Sequence, residues 1–416
     1  MRVFKFGGGI LKDADSFKKM ALLLRQYESE RLIIVLSAIN KTTNKFESLI
    51  SEYYHDKSFF HASFGNIKFF HLNIAKELGF GDESDLIQRI NRIFDEILRK
   101  FEDYHSYPYH VLYDQIVSYG EFLSCQIVHA YLNTVGLKNA FIDARMLVKT
   151  NSRHQNAEVD FDLSRIKINQ ALESGERIYI TQGFVGSDTN GMTTTLGREG
   201  SDYSAAIFAS IINAGQLVLW KDVPGIYNAD PKYYKDAVLI RELNHADARK
   251  LTDLGAKVLH HKTIKPLEEK GIPLFLNLFE IPVQIGTSIY PNALPQSKLP
   301  VIVHRFNKIL FTVKSLIKVS LNDDDEQVIR QMIGRQQLEI NYIHIQDQSC
   351  YFSLNHFVEP VIALRDELRR KYKVDIQFGV CMVKVQNANE SIIQTILKDV
   401  ELLHRDRLAD IIYLFY

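Results

Sequence analysis

The stretch Thr193 to Tyr203 reads T-T-T-L-G-R-E-G-S-D-Y and runs directly into an apolar segment, Ser204 to Ile212, with the character of a helix. Hydroxyls, two glycines, an arginine and two acids are packed together just ahead of that segment. Free backbone amides and the dipole of a helix N-terminus both favour negative charge, so this composition predicts an anion-binding loop. The same residues would also suit a polar surface turn, and the flanking chain decides between the two.

Upstream, Val3 to Phe6 reads as a short buried strand ending in Gly7, Gly8 and Gly9, and Phe17, Met20, Ala21 and Leu24 then recur at helical spacing. A second apolar strand, Arg31 to Leu36, ends at Ser37 in S-A-I-N-K-T-T-N. Strands return at Arg177 to Thr181, Gln216 to Lys221 and Pro273 to Leu278, with helical segments around Ser204 to Asn213 and Ala246 to Leu254. Each strand ends in a polar or glycine-bearing loop, the α/β pattern in which ligands gather beyond the carboxyl ends of parallel strands. Residues 51–113 are helix-like, with Ile87, Ile90, Phe94, Ile97, Leu98 and Phe101 forming a core stripe. In S-Y-G-E, Ser118 and Glu121 have the spacing of a capping box, which would make Glu121 a structural acid.

Three prolines, Pro291, Pro295 and Pro300, mark a linker. Beyond it strands and amphipathic helices alternate: a strand near Phe311 to Leu321, a helix near Asp324 to Ile333, strands near Leu338 to Ile345 and Ser349 to Asn355, and a helix near Val358 to Lys371. A second round has a strand near Val380 to Val385, a helix near Ser391 to Val400 and a strand near Asp410 to Phe415. The expected organisation is therefore an α/β domain over 1–290, with a central mostly parallel sheet flanked by helices, followed over 301–416 by two ferredoxin-like α+β modules.

Composition bounds the function. In 416 residues, 50 basic side chains balance 50 acidic ones, so no global field draws the chain to nucleic acid or an anionic membrane, and any anion must be bound locally. Cys125, Cys350 and Cys381 lack metal or disulfide spacing, and the fourteen histidines show no ligand pattern. With no apolar targeting core and no membrane-length apolar run, the expected location is the cytoplasm.

Taken together, K-F-G-G from Lys5, V-L-S-A and K-T-T-N around Ser37 and Thr43, S-Y-G-E, I-D-A-R at Ile142 to Arg145, T-Q-G-F-V-G from Thr181, the 193–206 stretch, W-K-D-V-P-G-I-Y-N-A-D-P from Trp220 and G-A-K-V-L-H from Gly255 resemble the aspartate kinases of the amino-acid kinase superfamily. The resemblance implies transfer of the γ-phosphoryl of ATP to the side-chain carboxylate of aspartate, with Mg2+ arriving on the nucleotide and no protein metal cage. A carboxylate with a pKa near ~4 is already ionised at neutral pH, so no general base is needed, and the difficulty is bringing two anions together. By the same resemblance Lys5 contacts the phosphates, Gly7 and Gly8 lend close amides, and Asp202 orients the lysine and the loop. Ser37, Thr43, Glu121, Arg198 and Ser201 form the aspartate pocket, while Lys221, Asp222, Tyr227, Asp230, Lys232 and Lys257 form the ATP site. Arg145 is equally suited to a structural role, and Trp220 to packing.

The departures are specific. Glu199 stands where the family commonly has glycine, Gly9-Ile10 where it has threonine-serine, Lys221 and Lys232 where threonine and arginine are usual, and His261-Lys262 where proline and arginine are common. A carboxylate about 7 Å from a phosphate charge costs about 2 kcal/mol at an effective dielectric of 20. Glu199 must therefore point away, pair with a cation or impair turnover. The C-terminal third resembles the family's paired ACT domains, and S-L-N-D-D-D-E-Q at Ser320 to Gln327 and K-V-Q-N-A-N-E-S at Lys384 to Ser391 stand in place of the usual glycine-bearing effector loops. A homodimer through this region with weakened or absent lysine feedback is expected. A degenerate kinase serving as a regulatory or assembly subunit, and a kinase of another small carboxylate or carbamate, remain open alternatives.

Overall fold

The computed structural model describes residues 1–256, 258–282, 286–294, 299–317, 320–336, 338–346, 348–355 and 358–416, in two compact units. Unit 1 comprises Met1–Ile226 and Leu239–Pro295; unit 2 comprises Tyr227–Val238 and Gln296–Tyr416.

Unit 1 begins with β1 (Arg2–Phe6), α1 (Ala14–Arg25) and β2 (Leu32–Leu36). Asp13 caps α1 in a full capping box with Ser16, which satisfies the Asp13 and Ser16 amides at the helix start. A helical layer follows: α2 (Thr42–His55), α3 (Lys57–Glu77), α4 (Asp85–Tyr104), α5 (Tyr109–Val117) and α6 (Tyr119–Thr134). The stripe read from the sequence on α4 is buried apart from half-buried Leu98, with Phe94 and Phe101 packed against Phe64 and Phe60. Next come β3 (Ala140–Phe141), α7 (Ala144–Leu147), α8 (Phe161–Leu172), β4 (Ile178–Gln182), β5 (Val185–Ser187) and β6 (Thr193–Thr195). The unit closes with α9 (Gly200–Ile211), β7 (Leu217–Lys221), β8 (Glu242–Asn244), α10 (His245–Leu254), α11 (His261–Lys270), β9 (Leu274–Leu278) and β10 (Thr287–Tyr290).

Its eight-stranded sheet has the order β3-β4-β2-β1-β7-β9-β10-β8. Strands β3 to β9 run parallel in space, and only the β9–β10 pairing is antiparallel. The central strands are largely buried because helices cover both faces, which is why β2 reads as an unbroken apolar run and β1 and β7 are apolar apart from Arg2, Lys5 and Lys221. The carboxyl ends of β1, β2 and β7 therefore sit side by side, and their loops share one crevice.

Unit 2 carries β11 (Val301–Ser315), α12 (Asp323–Arg335), β12 (Ile340–Gln346), β13 (Ser349–Asn355), α13 (Val358–Leu368), β14 (Tyr372–Gln386), α14 (Glu390–Ile396), β15 (His404–Leu408) and β16 (Ile411–Phe415). They form one antiparallel sheet of order β12-β13-β11-β14-β16-β15. Two modules share it: β11 and β14 each run fifteen residues, and a register break between Arg305 and Lys308, with Asn307 at φ 55°, divides their halves. The strand expected near Phe311 to Leu321 thus begins ten residues earlier and ends at Ser315. β15 was not expected, because its inward positions are His404 and Asp406 in place of apolar residues. The aspartate run is the first turn of α12, capped by Asn322, where the helix dipole favours acids.

Candidate active site

The sequence expects residues from six separate stretches to converge, and one cleft of about 980 Å³ in unit 1 is lined by many of them. Lys5, Gly7, Gly8, Ser37, Thr43, Glu121, Arg198, Ser201, Asp202, Lys221 and Asp222 all face it. Tyr227, Asp230 and Lys232 belong to unit 2, and Lys257 lies outside the described residues.

The loops after β1 and β2 touch backbone to backbone. A Cβ on Gly8 would stand 2.2 Å from the Ala38 carbonyl oxygen, so only glycine allows this approach. Beyond β2 the chain turns through Asn40 and Lys41, both in left-handed conformation at φ 45° and 53°, and this turn brings Lys41, Thr43 and Asn44 to the cleft wall.

The helix start lies earlier than the apolar pattern suggests, since Gly200 to Tyr203 already form the first turn of α9. Asp202 is thereby fixed on that turn, fully buried, between two lysines: Lys5 Nζ is 2.6 Å from its Oδ1 and Lys221 Nζ is 2.6 Å from its Oδ2. Burial alone would raise the Asp202 pKa, but Lys221 and Lys5 outweigh it and lower the value to about 2. The Lys221 ammonium, pushed down by burial, is raised on balance by Asp202 and held charged.

Glu121 does not cap α6. Ser118 is already helical and makes no side-chain cap, leaving the Glu121 carboxylate to turn into the cleft. Its Oε1 accepts from Ala38 N at 3.3 Å and from Thr43 Oγ1 at 3.4 Å, while the buried Oε2 has no partner. Desolvation raises its pKa to about 8, against the lowering effect of these hydrogen bonds and of Lys5. A buried acceptor of this kind awaits a cationic or N–H donor. Arg198 is exposed at the rim and forms no ion pair among the described residues, whereas Arg145 lies away from the cleft, in a bidentate pair with Asp143.

Glu199 is an exposed residue of the cleft wall, at φ 54°. That left-handed backbone explains on local grounds why glycine suits the position. The anion loop is braced from behind by Asp114, which the sequence did not single out, and by Lys262, which stood out only as a departure from the family pattern. Buried Asp114 accepts from Thr195 N at 3.1 Å, Thr195 Oγ1 at 2.6 Å and Gln155 N at 3.1 Å, and His154 Nδ1 lies 2.8 Å away. Lys262 bonds Asn156 and, at 3.3 Å, the Leu196 carbonyl. Glu47, Tyr109, Tyr113, Gln155 and Phe184 also line the cleft and were not anticipated. Phe184 lies inside the T-Q-G-F-V-G motif, whereas the other four lie in helical or loop contexts with no motif; the one available cue for these was that two tyrosines four residues apart, Tyr109 and Tyr113, share a helix face.

A model of the amino acid kinase family matches residues 1–276. The chain is 31% identical to lysine-sensitive aspartokinase 3 of Escherichia coli strain K12 over 318 residues, 76% of this chain and 69% of that protein. It is 32% identical to the aspartokinase of Chlamydia trachomatis serovar D, over 72% of this chain and 67% of that one. Among solved structures, E. coli aspartokinase III in complex with aspartate and ADP superposes with a TM-score of 0.83 at 26% identity, covering 100% of this chain and 96% of that chain. The Clostridium acetobutylicum aspartate kinase shares the fold, with a TM-score of 0.73 at 22% identity.

Two outcomes follow from the local physics. Folded Glu121 keeps its proton up to about pH 8, whereas an unfolded glutamate releases it near 4.5. The ligand-free protein should therefore lose stability as pH rises through that window, and Glu121→Gln should flatten this part of the profile in thermal melts. Glu199→Gly should stabilise the fold by roughly 0.5–1 kcal/mol by relieving a positive φ, read as a raised denaturation midpoint.

Proposed function

The chain belongs to the amino acid kinase family and to its aspartokinase branch, and from that premise we propose that it transfers the γ-phosphoryl group of ATP to the β-carboxylate of L-aspartate. The product is 4-phospho-L-aspartate, the first intermediate on the way to lysine, threonine and methionine. The observation that carries the reading is one cleft holding both a pair of lysines, one buried and one half-buried, on Asp202 and an unpartnered carboxylate oxygen on Glu121. The lysines suit a phosphoryl group, and Glu121 suits the ammonium of an amino acid.

Arg198 at the rim has the two-pronged geometry to grip the α-carboxylate, with Ser37, Thr43 and Ser201 completing the contact surface. A β-carboxylate oxygen attacks the γ-phosphorus as the bond to the β–γ bridging oxygen breaks, and ADP leaves with that electron pair. No proton moves in this step. Lys5 stabilises the charge on the transferring group, Gly7 and Gly8 allow backbone amides to approach it, and Asp202 holds Lys5 in place. On the nucleotide side Lys221 and Asp222 extend the site, and Tyr227, Asp230, Lys232 and Lys257 are proposed to contact ATP.

The cleft wall carries Lys5, Lys41, Arg198 and Lys221 against Glu47, Glu121, Glu199, Asp202 and Asp222. Four cations against five carboxylates cannot by themselves neutralise a triphosphate and aspartate. Mg2+ bound with the nucleotide fits this balance, with Asp222 at the cleft wall the residue to hold it through water, and it would supply charge neutralisation on the phosphates. Glu199 fits an active enzyme because Lys221 lies within its electrostatic reach.

For unit 2 we propose a homodimer through the shared sheet, supported by the exposed apolar side chains Leu316, Ile317 and Phe378. Lysine feedback is proposed to be weak or absent, since the turn at Asp323 to Asp325 is a capped helix start bearing negative charge. Tight binding of lysine or threonine to the protein in a calorimetric titration would contradict this.

Incubation with MgATP, aspartate and hydroxylamine should yield aspartyl hydroxamate, and its absence would favour a non-catalytic subunit. A preference for another carboxylate in the same assay would instead reassign the substrate. Lys5→Met should lower kcat by at least roughly 100-fold, in line with loss of a transition-state electrostatic contact, and chelation of Mg2+ should abolish turnover. Because Glu121 must ionise to pair with the ammonium, aspartate affinity should rise as pH climbs towards 8 and level off above it.

A further inference from the structure

Two ammonium groups share one carboxylate at the floor of the cleft. β1 and β7 are adjacent and parallel, with Lys5 opposite Leu219, so Lys221, two residues further along β7, projects to the same face as Lys5. Both reach Asp202 at 2.6 Å, and Lys221 Nζ also donates to the Val258 carbonyl at 2.9 Å. Lys5 and Lys221 are 8% and 15% exposed, and Asp202 is fully buried, so the charges act through little solvent. Asp202 alone would cancel the charge of Lys5. With Lys221 on its other oxygen, the trio carries one net positive charge.

Glu199 precedes this turn of α9 and adds negative charge within reach of Lys221, with Asp222 following Lys221 in sequence. Among the described residues, the cationic balance at the floor therefore depends on Lys221.

We propose that Lys221 is a positioning residue for phosphoryl transfer: it takes up the charge of Asp202, so that Lys5 is left as a net cation for the transferring group, and it offsets Glu199. The inference rests on the phosphotransfer reading given above and adds a role that Lys5 and Asp202 do not account for. A residue acting in this way affects the charged transition state more than it affects bound aspartate.

The test compares the parent protein with Lys221→Met, Lys221→Arg and Lys221→Met combined with Glu199→Gly. Lys221→Met should lower kcat roughly 10- to 100-fold while KM for aspartate moves less than about threefold. Lys221→Arg, which keeps the charge, should recover most of the loss, and it also serves if the methionine variant fails to fold. Glu199→Gly should raise kcat by a larger factor in the Lys221→Met background than in the parent, the mark of two coupled charges. By calorimetry with aspartate present, Lys221→Met should weaken MgADP with aluminium fluoride at least about tenfold more than MgADP alone, since only the former mimics the transferring group. A Lys221→Met kcat within about twofold of the parent, or equal weakening of both nucleotide complexes, would overturn the proposal. If the parent itself makes no acyl phosphate, the kinase reading falls, and the fluoride comparison still decides the role of Lys221.

Discussion

Asp202 held between Lys5 and Lys221 is the interaction on which the site depends. A carboxylate with no exposure to solvent is tolerable only when its charge is compensated, and here Oδ2 accepts a hydrogen bond from Lys221 while Oδ1 is ion-paired with Lys5. The pairing links three elements that are distant in sequence: the end of β1, the end of β7 and the first turn of α9. It also fixes where positive charge is presented, directly beneath the crevice formed by the strand ends. The rest of unit 1 serves this placement, through the glycine contact at Gly8, the left-handed turn at Asn40 and Lys41, and the Asp114 brace behind the anion loop.

The α/β pattern was legible because central strands buried on both faces leave apolar runs, and because glycine and hydroxyl residues mark their ends. The convergence of Lys5, Ser37, Glu121 and Asp202 was legible only through the order of motifs, since nothing in local spacing brings residue 5 beside residue 202. The capping-box reading of Glu121 failed because α5 runs into α6 with a single residue between them, so Ser118 was already helical. Asp114 escaped notice, and Lys262 stood out only as a departure from the family pattern, for a related reason: a brace is defined by what lies across from it, and sequence does not print that.

Unit 2 illustrates the limit of periodicity. β11 and β14 each serve both modules, and a bulge, not a turn, separates their halves, so an apolar count places one boundary well inside a strand. β15 was hidden because its inward side chains are polar. They are satisfied across the sheet, where Tyr342 donates to Asp406 at 2.5 Å and lies 3.0 Å from His404 Nε2. Burial of polar groups is permitted when each finds a partner, and the hydropathy pattern alone then misreads the strand.

The central claim is that a carboxylate oxygen of aspartate becomes bonded to the phosphorus of ATP over the Lys5, Asp202 and Lys221 floor. It is tested most directly by 31P NMR of the reaction with aspartate carrying 18O in its β-carboxylate. The account predicts an acyl phosphate whose resonance is shifted by a single directly bonded 18O, together with unlabelled ADP. Release of inorganic phosphate without an 18O-shifted acyl phosphate would contradict it.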